Sequence, residues 1–159
     1  LTTPLAEAVA DVPKDDIVIA TVFRAGLPLH QGFLDVFDDA GNAFVSAYRY
    51  YEDREGTKVG VKIEYIASPD LTGKTLILVD PMLATGGSAC DALDILKNKY
   101  GCKNIRFMAL VAAPEGVKKV QDAHPDVDIF VAALDEKLND HAYIVPGLGD
   151  AGDRIFGTK

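Results

Sequence analysis

One apolar run constrains the fold more than any other part of this sequence. Residues 16–23 read Asp-Ile-Val-Ile-Ala-Thr-Val-Phe, so Thr21 is the one polar side chain after Asp16. A strand with one wet face alternates apolar and polar residues, whereas a strand covered on both sheet faces is apolar throughout. The run therefore predicts a central strand with helices packed on both faces of its sheet.

The rest of the chain alternates between strand and helix patterns. Apolar residues from Ser88 to Tyr100 follow helical spacing, with Ser88 as the N-cap and Gly101 as the C-terminal stop. A second helix is predicted at 114–123, with proline in its first position. Further strands are predicted at 43–48, 59–66, 74–79, 105–112 and 129–132. Strands that alternate with helices indicate an α/β fold, a mainly parallel sheet flanked by helices.

Composition limits the partners and the compartment. The chain has 16 basic and 24 acidic residues, a net charge of −8, which favours neither nucleic acid nor an anionic membrane as a partner. Its apolar runs are too short to span a bilayer, and no leader peptide is recognisable. Cys90 and Cys102 lack disulfide or zinc spacing, so we expect free, buried thiols in the cytoplasm. We expect one domain, residues 1–159, that lacks an N-terminal segment because it starts at Leu1 in a loop-like stretch.

Two stretches resemble nucleotide-binding motifs but fail the structural requirements. Gly73-Lys74-Thr75 matches the end of a P-loop, but Ser68 stands where the first glycine is required, and a strand follows instead of a helix. Residues 147–152 match G-x-G-x-x-G, but no buried strand precedes them and only seven residues follow. Neither is a dinucleotide fingerprint. The simplest interpretation of residues 147–152 is a turn built from glycine and aspartate.

The third stretch, residues 78–88, has the pattern of a phosphate cradle. A buried strand carries Asp80 to its carboxyl end, a loop of small residues follows, and a helix begins at once. Such a loop turns successive N–H groups inward, its glycines permit close approach, and the helix N-terminus adds positive potential. Thr85 and Ser88 add hydroxyl donors, and Asp80 can bind ribose hydroxyls directly or through Mg²⁺. The alternative is a Gly-Gly strand-to-helix turn in which Asp80 is a capping group.

These residues resemble a known family. Residues 80–88, Asp-Pro-Met-Leu-Ala-Thr-Gly-Gly-Ser, are similar to the phosphoribosyl pyrophosphate (PRPP) motif of uracil phosphoribosyltransferases. Residues 143–154, Tyr-Ile-Val-Pro-Gly-Leu-Gly-Asp-Ala-Gly-Asp-Arg, resemble that family's uracil-binding segment. With residues 24–27 and 48–49 upstream, the resemblance is nearly chain-wide. It implies the type I phosphoribosyltransferase fold, with a small hood over the base site.

The resemblance has departures as well as matches. Pro81 replaces the second acid that many type I phosphoribosyltransferases carry, a change that the uracil family shares. Pro28 stands where glycine is common in relatives, and Tyr50-Tyr51 replaces the more usual acidic pair. These two loops therefore match the family less closely than the PRPP motif does.

The resemblance implies a reaction and a set of site residues. Ribose 5-phosphate passes from PRPP to N1 of uracil, which gives UMP and pyrophosphate in pyrimidine salvage. Such a reaction needs stabilisation of the leaving group rather than a nucleophile. The resemblance assigns catalysis to Arg24, Asp80 and Asp150, and uracil binding to Ile144, Gly149, Asp150 and Ala151. It assigns PRPP binding to Arg24, Arg49, Asp80, Pro81, Met82, Leu83, Ala84, Thr85, Gly86, Gly87, Ser88 and Asp150.

Cofactor and partner expectations complete this interpretation. Mg²⁺ is expected to be bridged by the substrate, with no protein ligand directly assigned. A homo-oligomer, dimer or tetramer, is expected, and a GTP effector is left open. His30, His124 and His141 share no ligand spacing and receive no catalytic role. The alternatives are a phosphoribosyltransferase for another base and a PRPP-binding regulator that binds RNA without turnover.

Overall fold

A computed structural model gives the structure of the protein. It describes residues 2–10, 16–51 and 59–158, and the side chains of 47–51 and 59–64 are outside that description. The elements of the described part, in chain order, are β1 Ile17–Phe23, α1 Leu27–Leu34, β2 Gly41–Tyr51, β3 Val59–Ala67, β4 Thr75–Val79, β5 Met82–Leu83, α2 Gly87–Asn98, β6 Asn104–Ala112, α3 Pro114–Ala123, β7 Asp128–Leu134, β8 Lys137–Leu138, β9 Ile144–Val145 and α4 Ala151–Phe156.

Within the described residues the larger sheet has seven strands, and most of its pairs are parallel. Its order is β3-β2-β1-β4-β6, with β5 and β7 also paired to β6. Within it, β2 and β3 are antiparallel, whereas β1 is parallel to both β2 and β4, and β6 is parallel to β4, β5 and β7. The predicted α/β fold with a mainly parallel sheet is confirmed.

Strand β1 is buried on both faces, as its apolar run predicts. Val18, Ala20 and Val22 belong to a cluster that includes the buried residues of α2. Ile19 points the other way, into a second cluster against which Leu29 of α1 packs. Because successive side chains of a strand alternate between faces, only a continuous apolar run can fill both clusters.

Helix α2 begins differently from the prediction. Its N-cap is Gly86 in the left-handed conformation, with φ +77°, so Ser88 is the second residue of the helix and its prediction as N-cap was wrong. The chain turns sharply between β5 and α2, and glycine adopts that backbone conformation without steric cost. Gly101 adopts φ +66° beyond the helix, and its N–H donates to Lys97 O at 3.0 Å, which confirms the predicted stop.

The sequence did not reveal the short elements. Helix α1 has eight residues and α4 has six, while β5, β8 and β9 have two each. Such lengths are too short to produce a clear period in the sequence. Strands β8 and β9 form an antiparallel hairpin, which we call the hood. Within the described ranges, no helix has both the length and the apolar character needed to cross a bilayer.

Helix α3 lies in close contact with the loop that follows β5. A Cβ placed on Gly116 of α3 would lie 2.3 Å from Ala84 O and 2.9 Å from Leu83 O. A Cβ on Gly86 would lie 2.9 Å from Gly116 O. These are backbone atoms, which cannot rotate away, so two glycines allow α3 to support the loop at van der Waals distance.

We expect Gly116→Ala to destabilise the protein by about 1–3 kcal/mol, because its methyl group would overlap the carbonyl oxygens of residues 83 and 84. Gly32→Ala is the matched control. A Cβ at Gly32 in α1 meets nothing within 4 Å, and alanine in a helix is more stable than glycine by about 0.5–1 kcal/mol. Urea denaturation measures both changes. Wild-type stability in Gly116→Ala would contradict the close contact.

Candidate active site

The sheet order creates a crevice beside β1. From β1 the chain passes to β2 on one side and later returns to β4 on the other side. The connections therefore diverge at the carboxyl ends of β1 and β4, which is where open α/β sheets bind ligands. Arg24 follows β1 directly, and Asp80 follows β4 directly. Their positions in the topology bring these two residues to the same end of neighbouring strands.

A cleft of about 500 Å³ occupies this position. Most of the predicted site residues line it, namely Arg24, Asp80, Met82, Leu83, Ala84, Thr85, Gly86, Gly87, Ser88, Gly149, Asp150 and Ala151. Pro81 and Ile144 are buried and do not belong to the described lining, and Ile144 packs in a small cluster with Ala113 and with Ala84, which does line the cleft. Arg49 lies on β2 with its backbone in register with Val61, but its side chain is outside what the structure describes.

The loop between β5 and α2 presents backbone N–H groups to the cleft. The first N–H groups of a helix have no partner within the helix, and α2 has no side-chain cap at Gly86. Gly87, Ser88 and Ala89, the first three residues of α2, all line the cleft. The Gly87 N–H has a long contact to Thr85 Oγ1, at 3.4 Å. This geometry suits an anion, which would accept from N–H groups at the positive end of the helix.

Asp80 sits at the turn between β4 and β5. Its Oδ1 accepts from the Met82 N–H at 3.2 Å, and its own N–H donates to Met108 O at 3.1 Å. The carboxylate thus holds the start of the loop, and the alternative that Asp80 caps the following helix is wrong, because Gly86 is the N-cap of α2. The half-buried side chain also faces the cleft.

Arg24 lines the cleft while α4 and the residues after it hold its guanidinium group. Nη1 donates to Thr158 Oγ1 at 3.0 Å, and Nη2 lies 3.2 Å from Asp153 Oδ1 in an ion pair. The guanidinium carbon is 6.0 Å from the centre of the Phe156 ring, within the range of a cation–π contact. A positive charge is therefore fixed at the carboxyl end of β1.

The glycine-rich segment is a tight turn that also forms a wall of the cleft. Gly147 and Gly149 have φ values of +52° and +80°, and a Cβ on Gly147 would lie 2.1 Å from Ile144 O. Asp150 is the N-cap of α4, and its Oδ1 accepts from the Asp153 N–H at 2.8 Å. The turn predicted at residues 147–152 is confirmed, and the same turn carries Asp150 into the cleft lining.

One carboxylate anchors the hood to α3, and a second joins the two segments that flank the hood. Glu115 Oε1, in the first turn of α3, accepts from the Leu138 N–H at 3.0 Å. Asp135 Oδ2 accepts from the Gly147 N–H at 2.9 Å. The hydrogen bond from Leu138 stabilises the ionised form of Glu115 and lowers the pKa of its carboxyl group below the ordinary value of 4.5.

The histidines occupy other positions. His30 is buried, with Nε2 2.7 Å from Asn42 Oδ1, and His124 is buried, with Nδ1 3.2 Å from Lys97 Nζ. None of the three histidines belongs to the described lining of the cleft. Among the residues whose positions are described, no group of three or more His, Cys, Asp or Glu side chains is placed to hold a metal ion. Cys90 and Cys102 are free and buried, as expected.

Several residues of the cleft lining are not among those that the sequence predicts for the site. Phe23 and Ser46 are partners in the parallel register of β1 and β2, and both line the cleft. Their proximity depends on that register, which no local pattern reveals. Tyr143 and Gly152 also line the cleft. Both lie within residues 143–154, so their position beside the assigned uracil-binding residues was the available signal.

The comparisons with known proteins agree with this geometry. A purine phosphoribosyltransferase from Pyrococcus horikoshii shares the fold, with a TM-score of 0.54 and 24% identity over 73% of this chain and 70% of that one. The chain therefore has the type I phosphoribosyltransferase fold.

The sequence narrows this class. The family model for uracil phosphoribosyltransferase matches residues 1–158. The uracil phosphoribosyltransferase of Porphyromonas gingivalis is 51% identical, over 100% of this chain and 73% of its own length. A solved structure of an Aquifex aeolicus protein superposes with a TM-score of 0.89 at 35% identity, over 100% of this chain and 74% of that one. This chain belongs to the uracil phosphoribosyltransferase family.

The anchor between Glu115 and the hood generates a prediction about pH. Because the folded-state pKa of Glu115 is lowered, the anchor is fully present above pH 4.5 and is lost as the pH falls through the lowered pKa. We expect the hydrogen-exchange protection factor of the Leu138 amide, measured by NMR, to decrease over that range. In Glu115→Gln the protection should not vary with pH there, because the amide does not titrate.

Glu136→Gln is the matched control for this measurement. Glu136 lies exposed beside the hood, so its substitution should leave the wild-type pH dependence of the Leu138 amide unchanged. The same dependence in Glu115→Gln as in the wild type would contradict the assignment.

Proposed function

We propose that the cleft transfers the 5-phosphoribosyl group of PRPP to N1 of uracil, with formation of UMP and release of pyrophosphate in pyrimidine salvage. One observation carries the proposal: the loop that resembles a PRPP motif and the segment that resembles a uracil-binding motif line the same cleft. The nearest residues of the two motifs, Ser88 and Tyr143, are 55 positions apart in the sequence, and both line the cleft. Membership of the family supports the same reaction.

The reaction breaks one bond and forms another at C1 of the ribose. The C1–O bond to pyrophosphate breaks, and its electron pair leaves with the pyrophosphate. The sugar passes through a species with oxocarbenium character, N1 of uracil bonds to C1, and the N1 proton is released. The protein therefore has to stabilise negative charge on the leaving group, which preorganised donors do most effectively.

The loop at residues 84–88 is proposed to bind the 5′-phosphate. Its support is the set of N–H groups at the start of α2 and the hydroxyl groups of Thr85 and Ser88, all at the cleft. The chain has a net charge of −8, so attraction of a polyanion has to come from such local donors. Asp80 and Asp150 are acceptors, which suits ribose hydroxyls. Asp150 uses Oδ1 to cap α4 and has a second carboxylate oxygen for this purpose.

Arg24 and Arg49 are proposed to bind the pyrophosphate group. Arg24 stands in the cleft lining, at the carboxyl end of β1. A guanidinium group has five N–H donors, and two of those on Arg24 bond to Thr158 and Asp153. The group can therefore keep these partners and also donate to phosphate oxygens. For Arg49 the support is its position on β2, next to β1 in the sheet.

The residues of the cleft fit a substrate-bridged Mg²⁺. This ion usually keeps several waters and takes one or two carboxylates together with substrate phosphates. Asp80 is the carboxylate that would hold it, through water, and Pro81, which follows it, offers no second one. When bound, Mg²⁺ neutralises charge on the pyrophosphate oxygens. Asp80 itself orients the ribose and the start of the phosphate loop.

Uracil is proposed to bind between the hood and the phosphate loop. Gly149 and Ala151 line the cleft there, and Tyr143 in the lining directly precedes Ile144. Uracil presents an acceptor, a donor and an acceptor at O4, N3–H and O2, a pattern that backbone groups of Ile144, Gly149 and Ala151 can match. Cytosine presents the opposite group at two of these three positions.

Location and assembly are part of the proposal. The buried free thiols of Cys90 and Cys102 suit a reducing compartment such as the cytoplasm. The homo-oligomer, dimer or tetramer, and the GTP effector stay predictions from the resemblance.

We expect Asp80→Asn to fold normally and to lose at least about tenfold, or about 1.4 kcal/mol, in turnover or PRPP affinity. Asparagine retains the size of the side chain but replaces the ionised acceptor. Calorimetric titration of PRPP and steady-state kinetics measure the loss. Asp122→Asn is the control, because Asp122 pairs with Lys118 on the outer surface of α3. Wild-type turnover and affinity in Asp80→Asn would refute its assignment.

We expect kcat/KM to be on the order of 10⁴-fold lower with cytosine than with uracil, because cytosine leaves buried polar groups unpaired. Ile144→Val should retain this discrimination, since backbone groups read the base. The measurement is product analysis by mass spectrometry with PRPP and each base. Comparable turnover of cytosine would refute backbone reading, and a preference for orotate or a purine would refute the uracil assignment. PRPP binding without any product would indicate a regulator.

A further inference from the structure

Helix α4 connects the two sides of the cleft through one residue, Asp153. The backbone N–H of Asp153 donates to Asp150 Oδ1 at 2.8 Å, on the base side. The carboxylate of Asp153 pairs with Arg24 Nη2 at 3.2 Å, on the pyrophosphate side. Asp153 therefore contacts two residues of the proposed site, although it does not itself belong to the described lining of the cleft.

Thr158 completes the contact between Arg24 and α4. Its hydroxyl donates to Asp153 Oδ1 at 2.6 Å and accepts from Arg24 Nη1 at 3.0 Å. The two terminal nitrogens of the guanidinium group therefore bond to Thr158 and Asp153, and these two residues also bond to each other. This arrangement restricts both the position and the rotation of the guanidinium plane.

The exposure of the pair indicates which partner faces the ligand. The Asp153 side chain is 15% exposed, whereas the Arg24 side chain is 52% exposed. The carboxylate is the buried partner, and the exposed guanidinium belongs to a residue that lines the cleft. A Cβ on Gly152 would lie 3.5 Å from Arg24 Nη2, an ordinary van der Waals distance, so the guanidinium lies directly against this turn.

A long side chain that is held in place before binding loses less conformational freedom when it binds. Arginine has several rotatable bonds, so ordering an unrestrained guanidinium on binding would cost conformational entropy and lower the affinity for the ligand. Asp153 and Thr158 order it in advance.

We propose that Asp153 is a positioning residue that holds Arg24 in the orientation in which it receives the pyrophosphate group of PRPP. The inference rests on the proposed role of Arg24 as a pyrophosphate ligand. Asp153 acts through Arg24 and contacts no substrate. Because the same residue is bonded to Asp150, it also sets the spacing between the pyrophosphate end and the base end of the cleft.

The test separates binding of pyrophosphate from binding of the sugar phosphate. In Asp153→Asn we expect the affinity for inorganic pyrophosphate to fall about 3- to 10-fold. The KM for PRPP should rise by a similar factor. The affinity for ribose 5-phosphate, which lacks the pyrophosphate group, should stay within twofold of the wild type. A residue that only stabilised the fold would weaken both ligands together, so equal loss of both would overturn the inference.

Three further variants complete the design. Asp153→Glu retains the charge and should recover part of the pyrophosphate affinity. Thr158→Val removes the bridging hydroxyl and should lower that affinity about two- to threefold, and it tests the same contact if Asp153→Asn does not fold. Asp122→Asn, which breaks an ion pair of similar type with Lys118 on α3, should change neither ligand.

Arg24→Ala distinguishes this inference from the proposed function. If Arg24→Ala leaves pyrophosphate affinity unchanged, the proposed role of Arg24 fails, and the inference fails with it. If Arg24→Ala weakens pyrophosphate binding but Asp153→Asn and Thr158→Val do not, only the positioning role is refuted. Tighter pyrophosphate binding by Asp153→Asn would show that Asp153 competes with the substrate, which also overturns the inference. The double variant that combines Arg24→Ala with Asp153→Asn should lose no more pyrophosphate affinity than Arg24→Ala alone.

Discussion

The central position of β1 is the constraint on which the site depends. This strand pairs in parallel with β2 on one side and β4 on the other, and its residues 18–22 are buried. A strand in that position forces the chain to continue in opposite directions from neighbouring strands, and the divergence opens a crevice at their carboxyl ends. Arg24 and Asp80 reach the crevice only because each follows one of these two strands.

Close backbone contact makes that crevice suitable for the polyanion that we propose binds there. The protein carries a net charge of −8, so long-range attraction does not favour such a ligand. The attraction has to come from hydrogen-bond donors within the site, and these donors must be held in fixed positions. Gly116 lets α3 support the loop from below, Gly86 lets the loop enter α2, and Asp153 holds the guanidinium of Arg24. These contacts hold the N–H groups of the loop and the Arg24 guanidinium in place, and fixed donors are the form of stabilisation that a departing pyrophosphate requires.

The sequence predicted those parts of the protein whose signal is local. Three features are predicted by patterns of about ten residues or fewer: the buried run of β1, the helix at Pro114–Ala123 and the loop before α2. The N-cap of α2 was placed two residues late, because a serine is the better local cap and the need for φ +77° at Gly86 comes from the packing around it. The hood was anticipated by resemblance alone, since two-residue strands leave no periodic pattern.

By itself the sequence determined the sheet that is buried on both faces at β1, the loop of small residues at 84–88 with Asp80 before it, and the turn at residues 147–152. These features depend on side-chain periodicity and backbone freedom over short stretches, which the order of residues states directly. Only the tertiary structure decided that Phe23 meets Ser46, that Asp150 shares a cleft with the loop, and that Asp153 pairs with Arg24. Those pairs join residues from 23 to 129 positions apart, and their proximity follows from strand order and register, which no single segment of the chain encodes.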